Sequence, residues 1–160
     1  MIGCPGSGKS TFSRALHEIT RIPLYHLDRM YWNADKTTVE KSVFRKQLSD
    51  LLVNDAWIID GNYGSTMEQR MAACDTVFFL NYPLEVCLGG IKERFGKPRS
   101  DMPWTETEED AEFIEYIKSF NVQQKPDILA LLQKYSEKNV IVFTCRAQAD
   151  GFISHLQILT

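Results

Sequence analysis

Short apolar runs alternate along this chain with segments whose apolar residues recur every three or four positions. That alternation predicts strands interleaved with helices around a parallel sheet, an α/β fold. The first helical pattern runs from about Lys9 to Thr20. Pro23-Leu24-Tyr25-His26-Leu27 reads as a short strand ending at Asp28. From Thr38 to Asn54 the residues Val39, Val43, Phe44, Leu48, Leu51 and Leu52 follow helical spacing, with Thr38 as N-cap. Ala56-Trp57-Ile58-Ile59-Asp60 reads as a buried strand closed by Gly61-Asn62-Tyr63-Gly64, after which Ser65 caps a helix to about Ala73. Thr76–Leu80 is the next strand, and Pro83 opens a helix to about Phe95, at a position where its missing N–H costs nothing. Gly96 to Thr105 carries Gly, two prolines and charges, and reads as a loop. Two helices come next, one with Phe113, Ile114, Ile117 and Phe120 on a face, the other with Ile128, Leu129, Leu131, Leu132 and Tyr135. Val140–Thr144 is the last strand, and a short helix closes the chain.

The count is five strands if the first is allowed to be a stub. Only Met1 and Ile2 precede Gly3, against about five residues in an ordinary strand. The expectation is a truncated first strand, with a few more apolar residues before Met1 in the natural chain.

The candidate chemistry begins directly after that stub. Residues 3–10 read Gly3-Cys4-Pro5-Gly6-Ser7-Gly8-Lys9-Ser10 and fit the phosphate-loop pattern G-x-x-x-x-G-K-[S/T]. Its glycines let backbone N–H groups turn inward around an anion. Lys9 would reach the terminal phosphates, and the Ser10 hydroxyl would ligate Mg²⁺. The helix starting at Lys9 would point its positive end at the same place. The expected nucleotide site is Gly3, Pro5, Gly6, Ser7, Gly8, Lys9, Ser10 and Thr11.

Asp28, Asp60 and the loop all come after strands, so all should face one crevice at the carboxyl ends of the sheet. Asp60 ends an apolar run and is expected to hold Mg²⁺ with Ser10. Asp28 has three readings: positioning Mg²⁺, binding an acceptor, or taking a proton from an acceptor hydroxyl. Arg94, Lys97 and Arg99 flank or lie in the Gly96–Thr105 loop, where a closing lid over about 94–107 would bring cations to a moving phosphoryl group. Arg94 and Arg99 are the candidates, while Lys97 reads as solvated. Arg70 is placed at an anionic acceptor or in a surface salt bridge, with Asn62 nearby. His26 has no partner at metal-ligand spacing and receives no role.

Length, composition and charge narrow the classes. The chain has 160 residues, 44% hydrophobic and 24% charged, which suits one domain over residues 1–160. Its net charge of −3 argues against nucleic acid as the main partner. No apolar run approaches the ~20 residues of a membrane span. Cys4, Cys74, Cys87 and Cys145 are scattered, as suits reduced thiols in a cytoplasmic protein. Cys4 lies in a loop of N–H donors that could lower its pKa, but the plainer expectation is an inert buried thiol. A monomer or homodimer is expected.

The order of the phosphate loop, Asp28, Trp57-Ile58-Ile59-Asp60-Gly61-Asn62-Tyr63, and Arg94 with Gly96-Lys97-Pro98-Arg99-Ser100-Asp101-Met102 resembles a small bacterial family, the DNA topology modulation proteins (FlaR-like). That family looks like adenylate kinase and other nucleoside-monophosphate kinases. The resemblance implies a three-layer α/β/α fold with a five-stranded parallel sheet in the order 2-3-1-4-5. It also implies ATP-dependent phosphoryl transfer with Mg²⁺. It carries Lys9, Ser10, Thr11 and Asp60 to the nucleotide and metal, and Arg94 and Arg99 to the lid. The chain departs from the family at Lys97, where arginine is usual, and between Asp28 and Lys41. The expected function is an ATP-binding phosphotransferase acting on a small-molecule acceptor bound between Asp28, Asp60 and Arg70. A nucleoside monophosphate is one candidate for that acceptor. The alternatives are a nucleotide-binding regulator linked to DNA topology and a simple NTPase.

Overall fold

A computed structural model describes residues 1–159 of the chain. The order of elements is β1 (Ile2–Gly3), α1 (Lys9–Thr20), β2 (Leu24–His26), α2 (Leu27–Tyr31), α3 (Lys41–Leu52), β3 (Ile58–Asp60), α4 (Gly64–Ala73), β4 (Thr76–Leu80), α5 (Leu84–Arg94), α6 (Ala111–Gln123), α7 (Lys125–Lys134), β5 (Asn139–Phe143) and α8 (Arg146–Leu159). All strand pairs are parallel. Helices pack around them in an α/β arrangement compatible with three layers. Parallel neighbours need long crossovers, and helices supply them here.

The expected single five-stranded sheet is not what forms. The strands make a three-stranded sheet, β1-β4-β5, and a two-stranded sheet, β2-β3. The reason is the length of β1. Its two residues pair with Phe79 and Leu80 of β4, which leaves little backbone for a second ladder. The sheets still meet. The Met1 nitrogen donates to Ile59 O at 2.8 Å, and Gly61 N donates to Met1 O at 3.3 Å. The Asn62 side chain then takes over: Gly3 N donates to Asn62 Oδ1 at 3.0 Å, and Asn62 Nδ2 donates to Gly3 O at 2.8 Å. An amide side chain thus stands in for the strand that β1 is too short to pair.

Several boundaries shift from the sequence expectation, each for a local reason. Asp28 lies inside the five-residue helix α2. Helix α3 begins after Glu40 because Thr38 bridges to Trp32 and Val39 N donates to Tyr31 O at 2.9 Å. Tyr63, at φ +36°, occupies the N-cap of α4 ahead of Ser65. Helix α8 has 14 residues and is not short.

Two apolar clusters result. The larger joins β1, β4, α5 and α8, with Phe12 of α1 against Phe78, Phe143 and Phe152 at ring separations of 5.2, 5.4 and 6.0 Å. The smaller gathers Leu27, Phe44, Leu48, Leu51 and Ile59 beneath α2 and α3. Each fully buried side chain of this kind stabilises by about 1.5–3 kcal/mol. The loop between β1 and α1 runs along α5 with no room to spare. A Cβ at Gly90 would lie 2.0 Å from Gly6 O, and a Cβ at Gly6 would lie 2.0 Å from Cys87 O.

That contact makes α5 the back wall of the loop. Gly90→Ala should lower stability by about 1–3 kcal/mol, although alanine normally strengthens a helix. Urea unfolding checks it, with Gly89→Ala alongside, since a Cβ at Gly89 meets nothing within 4 Å. Equal stability of the two variants would contradict the close approach.

Candidate functional site

The loop from Gly3 to Ser10 turns on Gly6 and Gly8, at φ +81° and +94°. Ser7 N donates to Cys4 O at 3.1 Å, and Lys9 Nζ donates to the same carbonyl at 3.1 Å. Helix α1 then starts at Lys9 with no side-chain cap and no acidic residue in its first turn. Its first N–H groups have no intrahelical partner, so they and the helix dipole present positive potential. Burial pulls the Lys9 ammonium below its ordinary pKa, against the opposing fields of Asp60 and Asp28. Cys4 is buried, and its thiol is pushed up by hydrogen bonding with Cys87 and by burial, which agrees with the expectation of an inert thiol.

Asp60 closes β3 and is 5% exposed. The parallel register of β2 and β3 sets it opposite His26, whose Nδ1 lies 2.9 Å from Asp60 Oδ2. His26, given no role from the sequence, therefore fixes the carboxylate. The other oxygen, Oδ1, is buried with no hydrogen-bond partner. Desolvation pushes the Asp60 carboxyl up, but His26, Lys9 and Ser10 outweigh it and hold it below the usual range. An ionised carboxylate with one oxygen held and the other unpartnered, beside a serine hydroxyl, is a donor set that fits Mg²⁺.

Asp28 is half-buried and accepts the Tyr63 hydroxyl at 2.7 Å on Oδ1. Burial raises its pKa, and the Tyr63 bond only partly offsets this. Two expected acceptor residues are occupied elsewhere. Asn62 holds Gly3 with both ends of its amide. Arg70, 5% exposed, donates to Gly61 O at 2.9 Å, to Asn62 O, and to Tyr63 O at 3.3 Å. Its guanidinium is committed to three successive carbonyls of the segment that carries Asn62 and Tyr63. Burial pulls its pKa down to about 10.

The segment after α5 folds over the opposite wall, closed at its base by Gly96 N donating to Glu106 O at 2.8 Å. Arg94 clasps Glu106, with Nε 2.8 Å from Oε2 and Nη2 donating to Oε1 at 2.9 Å. Arg99 reaches the same Glu106 at 3.4 Å and pairs with Asp101, which is 2% exposed. Arg14 of α1 lies 3.7 Å from Asp101, and Arg29 of α2 donates to Ser100 O at 3.0 Å. Trp104 meets Trp32 edge to face at 5.5 Å. The segment is thus tied to both α1 and α2.

Together these walls enclose a cleft of about 1450 Å³. It is larger than the ~300–1,000 Å³ of a typical single-ligand site. Pro5, Gly6, Gly8, Lys9, Ser10 and Thr11 line it, as do Asp28, Asp60, Asn62, Arg94 and Arg99. Gly3 and Ser7 are buried behind the loop, and Arg70 is off the cleft wall. Lys97 is exposed at the rim. Tyr63, Asp101 and Glu106 received no role from the sequence, although Asp101 and Glu106 lie in the lid segment it marked. Among the described residues, no cluster of three or more His, Cys, Asp or Glu side chains forms a metal site, so any cation here would need ligand oxygens from elsewhere.

No family model matches the chain. Over 99 residues it is 33% identical to the Bacillus subtilis (strain 168) protein called Uncharacterized protein YqaC. The match covers 59% of this chain and 54% of that protein, so the chain spans about half the length of the curated relative it matches.

Two buried charges give separate predictions. Arg70→Met strips donors from three carbonyls and should cost about 3 kcal/mol, read as a lower urea midpoint. Arg70→Lys should recover only part, because an ammonium lacks the guanidinium fork. Unchanged stability in both would remove Arg70 from the scaffold. Asp101 sits near pKa 2 against an ordinary 3.8: desolvation raises it, but Arg99 and Ser10 lower it further. A depressed carboxyl stabilises fully above the unfolded value and loses that as pH falls through the folded one. About 2 kcal/mol should therefore vanish between pH 4 and 2. Asp101→Asn should flatten that part of the stability–pH curve.

Proposed function

We propose that this chain is an ATP-dependent phosphotransferase of the adenylate-kinase-like kind, moving the γ-phosphoryl group to a small-molecule acceptor with Mg²⁺. The observation that carries this reading is the convergence of Lys9, the unpartnered Asp60 Oδ1, Arg94 and Arg99 on one cleft. Phosphoryl transfer asks for little covalent chemistry and much positive charge around the moving group. The loop N–H groups and the start of α1 would cradle the phosphates, and Lys9 would exchange its bond to Cys4 O for a phosphate oxygen. Ser10 and Asp60 would hold Mg²⁺, which when bound neutralises charge on the phosphate oxygens. His26 keeps Asp60 oriented for that task.

Arg94 and Arg99 would serve the transferring group from the lid. They are now held by Glu106 and Asp101, whose carboxylates occupy the forks that phosphate oxygens would share. Residues 94–107 already reach over the cleft, and such cover would exclude water during transfer. The bonds through Met1 and Asn62 set the β2-β3 sheet against the β1 edge of the β1-β4-β5 sheet, so the strands follow one another in space as β2-β3 and then β1-β4-β5. That order is the nucleoside-monophosphate-kinase-like topology.

Lys9→Ala should keep the fold and cut ATP-to-ADP turnover by about 100-fold or more, checked by coupled assay with circular dichroism alongside. Wild-type turnover in the variant would remove the loop from the mechanism. Wild-type turnover that is indifferent to every acceptor yet needs Lys9 would make water the acceptor, and the protein an NTPase.

A further inference from the structure

The acceptor half of the cleft has a chemistry of its own. Its wall is built from α2 and the start of α4: Asp28, Tyr31, Trp32, Tyr63 and, from the lid, Trp104. Tyr31 packs against Trp32 at 5.4 Å and Tyr63 at 5.2 Å, and Trp32 against Trp104 at 5.5 Å. These rings are half-buried and line the cavity.

Binding a phosphate monoester there would take fixed cations, normally arginine forks. The arginines nearest that wall are otherwise engaged. Arg70 is buried on the carbonyls of Gly61, Asn62 and Tyr63, and Arg29 is exposed and bonded to Ser100 O. Of the other cations lining the cleft, Arg14 and Arg99 are held by Asp101, and Lys36 is exposed at the rim. In place of a cationic pocket the wall offers a carboxylate. Asp28 has one oxygen on the Tyr63 hydroxyl. It also lies within the fields of Lys9 and Arg99, which line the same cleft. An anionic acceptor would meet repulsion there. A hydroxyl would meet a base next to the phosphoryl group.

Resting on the phosphotransferase reading, we infer that the acceptor is an uncharged, hydroxyl-bearing ring compound, seated between Asp28 and the Trp32–Trp104 pair, and that Asp28 is its general base. The acceptor O–H proton passes to the Asp28 carboxylate as the oxygen attacks the γ-phosphorus. The bond from that phosphorus to the β,γ-bridging oxygen breaks, and its electron pair leaves with ADP. The products are ADP, the phosphate ester and one proton, which Asp28 returns to solvent. Tyr63 orients the carboxylate through its other oxygen. A nucleoside monophosphate would need none of this, because its own phosphate oxygen attacks without a base.

The test pairs each of a set of nucleosides with its own 5′-monophosphate, adds neutral cyclic alcohols, and follows ADP formation by wild type, Asp28→Asn and Tyr63→Phe. ATP binding by all three proteins is measured separately by calorimetry. At least one uncharged compound should raise turnover tenfold or more over the no-acceptor rate, while 5′-monophosphates do not. Asp28→Asn should lower acceptor-dependent kcat by about 100-fold with ATP affinity unchanged. Tyr63→Phe should lower it less, through orientation alone. Efficient use of a 5′-monophosphate with Asp28→Asn within a few-fold of wild type would overturn the inference, as would no acceleration by any uncharged compound. Absence of ATP binding in the wild type would instead defeat the phosphotransferase reading on which it stands.

Discussion

The position of the glycine-rich loop depends on one side-chain amide. Asn62 donates to and accepts from the backbone of Gly3, completing a ladder that a two-residue strand cannot complete itself. Each bond is individually worth about 1 kcal/mol. Its importance is positional: Gly3 is the last residue of β1 and the first of the loop, so this pair fixes where the loop leaves the sheet. Asn62 is in turn held by Arg70 through its own carbonyl. The chain of support runs from a buried guanidinium to an amide, to a strand end, to a glycine-rich loop.

The molecule uses its arginines in two physically distinct ways. Arg70 is buried against backbone carbonyls, a neutral and permanent partner set. Breaking it leaves unpaired dipoles, so its role is to be immobile. Arg94 and Arg99 are paired with carboxylates that line the cleft, Glu106 partly open to solvent and Asp101 buried. Their partners are charged side chains that line the cleft, so a ligand phosphate offers the same kind of oxygen that the carboxylates do. Sequence distance from the loop says nothing about this difference; what decides it is whether the arginine faces the core or the cleft.

Local signals were legible in the sequence. The glycine turns ahead of α1, the apolar runs of β3, β4 and β5, and the helical spacing of α1, α3, α6 and α7 are periodic or composition-based, and the structure keeps them. What escaped was set by register and by long-range partners. The bond between His26 and Asp60 exists because β2 and β3 pair in parallel with those residues opposite, a relation no spacing rule reveals. Arg70 sits two turns along α4, where a charged residue ordinarily points to solvent, but its helix starts from a left-handed Tyr63 and the carbonyls of residues 61–63 turn back toward it. The stub of β1 was visible in the count of residues, yet its consequence, two sheets bridged by an amide, needed the partner strand to be seen.

The contact between Trp32 and Trp104 has an optical consequence. The chain carries three tryptophans, and two of them meet across the mouth of the cleft, one on the α2 wall and one on the covering segment. Indole emission responds to solvent contact and to its neighbours. The third, Trp57, lies apart against the smaller apolar cluster. The protein's own ultraviolet fluorescence is therefore weighted toward the state of its cleft, and it carries a built-in, label-free gauge of whether that mouth is open or shut.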